Sequence, residues 1–328
     1  MKIIMYSVLA EERPYIEAWA QKNGHEVTQI TDDLTPATVE LANGYDGIDI
    51  QQTIPTKDPI IYQKLASYGI KQITARMVGY EMLDLDLATQ YGLTVTNIPA
   101  YSPRAIAELG LTQAMRLIRQ LGYFDQRMEN GDFTWNGMIS REIHDLTVGV
   151  IGAGHIGGAT AQIYTALGAH VIANDPVHNV ELAPFLEYVD LDTLLTTADI
   201  VTIHTPLTDE TENIINAKTL QQMKKTAYFI NMARGGLVDT QALIVALQQH
   251  EIAGAALDTL ADENLFFEHQ VTPDQIPADY KILKAMPNVL ISPHSAFFTN
   301  TAIKNIVEIG LNDVVTIVSG KKSANALN

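Results

Sequence analysis

One stretch limits the fold more than any other: Val148-Gly-Val-Ile-Gly-Ala-Gly-His-Ile-Gly157, an apolar run that delivers glycines at 152, 154 and 157 and passes into a helical pattern. Read as strand, tight turn and helix start, it gives each glycine a reason. Gly152 permits the turn, Gly154 lets backbone amides approach a pyrophosphate, and Gly157 lets helix and strand pack closely, with the positive helix N-terminus facing the anion. An isolated G-x-G-x-x-G is a common glycine turn, so its context matters. Asp175 closes the next strand-like run, 169–174, eighteen residues after Gly157. That is near the spacing of an acid that grips ribose hydroxyls. A carboxylate there repels a 2′-phosphate, and Pro176-Val-His-Asn179 supplies no arginine to compensate, so the predicted cofactor is NAD rather than NADP.

The motif sits in a wider rhythm. Strand-like runs at 2–7, 27–30, 47–50, 72–74 and 94–96 alternate with amphipathic stretches at 11–21, 36–42 and 60–68. A second series of strands follows at 146–151, 170–173, 200–203, 228–231, 254–257 and 289–291. Alternation of this kind predicts an α/β protein with parallel sheets, here two doubly wound Rossmann-like domains with the active site in the cleft between them. Two prolines in Asn97-Ile-Pro-Ala-Tyr-Ser-Pro103 mark the seam before a helical pattern at 105–120, and a last helix is expected at 301–319. The expected division is a substrate domain of residues 1–100 with 300–328, and an NAD-binding domain of residues 101–299.

At 328 residues and 47% hydrophobic composition the chain has ample material for two cores. Asp and Glu outnumber Lys and Arg by 38 to 21, a net charge of −17 that repels nucleic-acid phosphates and anionic membranes. No cysteine is present, which removes disulfides, thiolate metal ligands and a cysteine nucleophile, and no metal site is expected. The first twenty residues hold a short apolar run broken by acids, without a cleavage signature, so a cytoplasmic location is expected.

Three ionisable residues lie just beyond strand-like runs of the second series: Arg234, Glu263 and His294. In an open α/β sheet the carboxyl ends of strands face the ligand crevice, so the three can converge beside a nicotinamide. Arginine offers a two-pronged contact to a carboxylate and its neighbouring oxo group. Histidine can give or take the proton that accompanies hydride transfer, and a glutamate can hold the imidazolium. Singly, each reads equally well as a turn arginine, a surface acid and a capped loop histidine. Their joint placement behind a nucleotide fingerprint favours the catalytic reading.

Five separated motifs, Ala100-Tyr-Ser-Pro-Arg-Ala-Ile-Ala-Glu108, Val148 to Gly157, Ala233-Arg-Gly-Gly-Leu-Val-Asp-Thr240, Ala256-Leu-Asp258 and Met286-Pro-Asn-Val-Leu-Ile-Ser-Pro-His-Ser-Ala-Phe-Phe-Thr299, carry a family likeness. In their order and spacing the chain resembles the D-2-hydroxyacid dehydrogenase family along nearly its whole length, and within it the D-lactate dehydrogenases of lactic acid bacteria. The resemblance implies that His294 is the acid/base, Arg234 the substrate anchor and Glu263 the partner that keeps His294 protonated. It implies cofactor contacts at Gly152, Gly154, His155, Ile156, Gly157, Asp175, Thr205, Pro206, Met232, Ala233, Arg234 and Asp258. Val78, Gly79 and Tyr101 would line the substrate carboxylate site. A homodimer through the NAD domains is implied too, with Trp135 reaching the neighbour's active site or simply packing in the interface.

The chain departs from the family pattern in three places. Arg76-Met-Val-Gly-Tyr-Glu-Met-Leu-Asp84 replaces the usual Arg-Asn-Val-Gly segment, a partly rewritten substrate loop. Asp258-Thr-Leu-Ala-Asp-Glu263 lacks the usual aromatic before the glutamate, and spacing alone selects Glu263 over Asp262. Phe297-Phe298 stands where many lactate enzymes have Phe-Tyr, so Phe298 removes a hydroxyl from the expected pocket and favours bulkier 2-oxo acids. The expected reaction is reduction of pyruvate to D-lactate with NADH. The alternatives are a D-2-hydroxyisocaproate-type dehydrogenase and a non-enzymatic NAD-sensing protein of the same fold.

Overall fold

The computed structural model describes residues 1–52, 54–267 and 269–328. The chain divides into two compact units, residues 1–102 with 298–328 and residues 103–297.

In the first unit, β1 (Lys2–Met5), α1 (Arg13–Asn23), β2 (Glu26–Gln29), β3 (Gly47–Ile50), α2 (Pro59–Ser67), β4 (Gln72–Ala75), α3 (Leu85–Gln90) and β5 (Thr94–Thr96) follow one another. The strands form one sheet in the order β2-β1-β3-β4-β5, every pair parallel. Such a sheet must be covered on both faces. Alternation along β1 achieves this. Ile3 and Met5 pack with Ile16 and Trp19 of α1, while Ile4 and Tyr6 point to the opposite face among Ile48, Ile61 and Leu65. The chain's last helix, Asn300–Val318, returns to this unit and lays Val307, Leu311 and Val314 against Ile3 and Met5. The helix expected over 36–42 shortens to a 3-10 turn, Val39–Ala42. Thr35 and Thr38 exchange hydroxyl and amide hydrogen bonds just before it, a reciprocal pairing of the capping-box kind.

Arg76 is fully buried at the end of β4 and clasps this unit from inside. Its Nε meets Glu12 Oε1 at 2.7 Å, its Nη1 meets Asp49 Oδ1 at 2.6 Å, and its Nη2 donates to the carbonyls of Tyr6 and Ser7 at 3.0 Å. Burial pushes the Asp49 carboxyl up against the pull of Arg76. Removing one partner of such a set typically costs about 3–5 kcal/mol, because the remaining charge is stranded away from water. The ends of β1, β3 and β4 are thereby tied together just before the 77–79 segment. Arg76 is thus an inward-facing anchor at the start of the 76–84 loop.

The second unit opens with α4 (Pro103–Ile118) and α5 (Leu121–Glu129). It continues β6 (Thr147–Ile151), α6 (His155–Ala166), β7 (His170–Asn174), β8 (Glu187–Tyr188), α7 (Leu191–Thr197), β9 (Ile200–Ile203), α8 (Ala217–Gln222), β10 (Tyr228–Asn231), α9 (Thr240–Gln248), β11 (Gly254–Leu257), α10 (Ala278–Lys284) and β12 (Val289–Ile291). The final helix of the first unit is α11. All seven strands are parallel in the order β12-β11-β10-β9-β6-β7-β8. The strand order reverses between β6 and β9, which puts the topological switch point at the glycine turn. Leu194, Leu195, Val201, Phe229, Leu243 and Ala255 build the core on one face. The expected helix 105–120 ends at Ile118, because Gln120 turns left-handed at φ 53° and a separate helix α5 begins.

No helix among the described residues is long and apolar enough to cross a membrane. No cluster of three or more His, Cys, Asp or Glu side chains set to hold a metal occurs among them.

Candidate active site

Parallel pairing throughout the second sheet brings the loops after β6, β9, β10, β11 and β12 to one edge. The loop after β6 is shaped by its glycines. Gly152 has φ +87°, and a Cβ there would stand 2.9 Å from the backbone of His204 and Thr205. A Cβ on Gly157 would stand 1.9 Å from Gly152 O, so helix α6 can approach the turn only without one. At Gly154 a Cβ would meet nothing within 4 Å, and α6 starts there without a side-chain cap. The first-turn amides therefore face open space, which is what a dinucleotide pyrophosphate requires. Asp175 stands at the end of β7 with Oδ2 accepting from Ala153 N at 2.7 Å and Oδ1 from Val177 N at 2.7 Å. The glycine turn itself orients the carboxylate, leaving further lone pairs for ribose hydroxyls. His155 and Pro206 are exposed beside this turn, Ile156 and Thr205 are half-buried, and Met232, after β10, is buried.

Arg234, Glu263 and His294 follow β10, β11 and β12, three neighbouring strands. His294 Nδ1 lies 2.7 Å from Glu263 Oε1, and Glu263 Oε2 accepts from Leu260 N at 2.7 Å. Asp262, turned left-handed at φ 55°, is exposed, so Glu263 is the acid that reaches the imidazole. Burial pulls the His294 pKa down, the hydrogen bond and charge of Glu263 push it up, and the net direction is upward. Arg234 lies near enough to oppose that rise electrostatically. The Ala-Arg-Gly-Gly sequence has a packing cause. A Cβ on Gly235 would stand 2.0 Å from the backbone of Leu260, so glycine lets the loop carrying Glu263 close onto the loop carrying Arg234.

Asp258, expected among the cofactor contacts, directly follows β11. The residue is fully buried, and its oxygens accept from Ser292 Oγ at 2.5 Å, Ser295 N at 3.0 Å and Ala296 N at 2.9 Å. Its carbonyl accepts from His294 N at 2.8 Å, which holds His294 in its left-handed conformation at φ 51°. Asp258 thus shapes the loop that presents His294.

The remaining expected residues belong to the first unit. Val78 O accepts from Asn97 Nδ2 at 2.6 Å, and Met77 O from Ile98 N at 2.9 Å, which pins the segment after Arg76. The amides of Val78 and Gly79 make no hydrogen bond among the described residues, a backbone pair suited to a carboxylate. Tyr101 O accepts from Asn305 Nδ2 at 2.6 Å, tying it to α11. Phe298 is 45% exposed.

The sequence reading passed over His204. Its Nε2 lies 2.9 Å from Thr202 Oγ and 3.3 Å from Thr160 Oγ, joining the end of β9 to α6 directly under the glycine turn. Burial pushes this imidazole down to about 4, so it is neutral at working pH. The signal was available, since His204 directly follows an apolar strand, β9, of the same sheet.

Residues 111–296 match the family model described as D-isomer specific 2-hydroxyacid dehydrogenase, NAD binding domain. Across its full length the chain is 41% identical to a D-2-hydroxyacid dehydrogenase (NAD(+)) of Clostridioides difficile, covering 100% of both proteins. It is 42% identical over 318 residues to a D-lactate dehydrogenase of Lactiplantibacillus plantarum, covering 95% of each. In three dimensions it resembles the NAD-complexed D-isomer specific 2-hydroxyacid dehydrogenase of Lactobacillus delbrueckii ssp. bulgaricus, with TM-score 0.94, 52% identity and 100% coverage of both chains.

Proposed function

Because the chain belongs to the D-isomer specific 2-hydroxyacid dehydrogenase family and is an NAD-dependent oxidoreductase, we propose that it reduces pyruvate to D-lactate, with Arg234, Glu263 and His294 as its working residues. The observation that carries this reading is the 2.7 Å contact between His294 Nδ1 and Glu263 Oε1 beside Arg234. NADH, when bound on the glycine turn, supplies the hydride that C2 of the 2-oxo acid receives. Arg234 anchors the substrate carboxylate and polarises the oxo group. With Nδ1 held by Glu263, the proton on Nε2 of His294 passes to the substrate oxygen, leaving neutral imidazole and a 2-hydroxy acid. In the oxidative direction the same nitrogen takes the proton back.

The test is NADH oxidation with pyruvate and with 4-methyl-2-oxopentanoate, with the higher kcat/KM expected on pyruvate. Preference for the branched acid would assign a D-2-hydroxyisocaproate-type enzyme, a reading that Phe298 favours. Rates at background with every 2-oxo acid would leave an NAD-sensing protein. Phe298→Tyr should raise the pyruvate-to-branched ratio several-fold, since a hydroxyl beside the acyl group disfavours an apolar neighbour once bound substrate excludes water from it. An unchanged ratio would put Phe298 outside the acyl pocket.

The same reading assigns discrimination between NADH and NADPH to Asp175. Asp175→Ala should narrow the ratio of kcat/KM values by on the order of tenfold, since ribose hydrogen bonds and charge repulsion vanish together. A ratio equal to the parent's would remove Asp175 from that role.

The working form is a homodimer in the cytoplasm, where NADH and 2-oxo acids meet. Its support is the exposed apolar segment after α5, in which Phe133 is 74%, Trp135 79% and Ile139 94% exposed. Isolated chains rarely leave such residues to water in one stretch. Sedimentation should give twice the chain mass, and a monomer at working concentration would refute the dimer.

A further inference from the structure

The edge of the second sheet opposite Arg234, Glu263 and His294 holds a cavity of about 350 Å³, within the roughly 300–1,000 Å³ usual for small-ligand sites. Its wall is built by a close approach. A Cβ on Gly122 at the start of α5 would stand 2.2 Å from Pro287 O, so only glycine lets α5 close against the turn before β12.

The lining is positive in a chain of net charge −17. Arg116, Arg141 and Lys225 face one carboxylate, Asp199. Asp199 is already satisfied by Arg141 at 2.7 Å, Lys224 at 3.1 Å and the amide of Thr147 at 3.0 Å. Arg116 and Lys225 have no ion-pair or hydrogen-bond partner among the described residues. Tyr123 and Tyr228 also line the space, and burial raises both phenols, which therefore remain neutral donors. Two uncommitted cations, a third at the rim and two hydroxyl donors make an oxyanion receptor, and the apolar side chains between them suit a carbon body.

We propose that this cavity is a second ligand site for a small organic polyanion, whose carboxylate or phosphate oxygens are held by Arg116 and Lys225. The floor of the cavity includes Tyr228, Ala253 and Asn288, where β10, β11 and β12 begin. Asn288 Nδ2 donates to Ala253 O at 2.9 Å, fastening two of those starts together. The site is thus at the far ends of the three strands that carry Arg234, Glu263 and His294, apart from the reacting groups. The inference holds whichever 2-oxo acid the enzyme prefers.

The enzyme, saturated with NADH and oxamate to fill the active site, is titrated calorimetrically with citrate in one arm and pyrophosphate in the other. At least one probe should bind once per chain with a Kd below about 1 mM, a free energy typical of a few charge-assisted contacts. The arm that binds identifies the oxyanion as carboxylate or phosphate. The double variant Arg116→Gln/Lys225→Gln should weaken that binding by roughly 10- to 100-fold while retaining its Tm and its pyruvate kcat/KM without probe. Failure of both probes to bind below about 1 mM would overturn the site. Equal affinity of the variant, or binding that disappears when oxamate is added, would overturn it as well.

Discussion

Replacing Arg234 by lysine will lower kcat/KM for pyruvate by on the order of 10²-fold or more while NADH affinity stays near the parent value. Lysine keeps the charge but offers a compact ammonium in place of a planar fork, so it cannot hold a carboxylate and an adjacent oxo oxygen in one fixed geometry. The Arg234 side chain donates from Nη1 to Ala233 O at 2.9 Å, and the backbone around it has supports of its own. Arg234 O accepts from Asn231 Nδ2 at 2.9 Å, and Gly235 packs against Leu260 whatever residue precedes it. Because Arg234 opposes the rise of the His294 pKa through its charge, lysine should also leave the pH limb of reduction nearly in place. Steady-state kinetics against pH, with NADH binding by fluorescence titration, separates these effects. Parallel collapse of NADH and pyruvate binding would make Arg234 a structural residue.

Residues with a short-range cause were legible in the sequence. The glycine turn, the strand before it and Asp175 after the next strand are local patterns, each dictated by a few neighbours. Arg234, Glu263 and His294 were legible because parallel strands place successive loops on one edge, so topology does the converging. The inward role of Arg76 was not legible, since Glu12 and Asp49 lie 64 and 27 residues away and only the folded sheet assembles them. Asp258 gave no sign of its loop-shaping role for a similar reason. Its partners Ser292, Ser295 and Ala296 arrive with β12, and nothing near Asp258 in sequence signals them. The separate helix α5 escaped because its amphipathic pattern continues smoothly from α4, and the single left-handed Gln120 between them leaves no periodicity signal. Glu263 was chosen over Asp262 by spacing, and the geometry supplies the physical ground, a left-handed Asp262 followed by a 3-10 turn that swings Glu263 toward His294.

Glu263→Gln should move the alkaline limb of pyruvate reduction to lower pH and reduce the rate near neutrality by up to about 10²-fold, while lactate oxidation loses less. In the parent, burial of His294 works against its protonation, and the hydrogen bond and charge of Glu263 outweigh that penalty, holding the pKa above its ordinary value. Glutamine keeps the shape and removes the charge. Burial and Arg234 are then opposed mainly by Asp258, and the imidazolium is lost earlier as pH rises. Reduction needs imidazolium as the acid, so its competent fraction falls. Oxidation needs neutral imidazole as the base, so its acid limb extends to lower pH. Stability must follow the same sign. A histidine whose folded pKa is raised adds stability below its unfolded value of about 6.5, and that contribution fades as pH climbs through the folded pKa. The parent should therefore gain in Tm relative to the Gln variant on the acid side, with the difference shrinking above the raised pKa. The measurements are kcat/KM against pH in both directions and Tm against pH for both proteins. A reduction limb that stays where the parent has it, together with parallel Tm curves, would mean that Glu263 does not govern the protonation of His294.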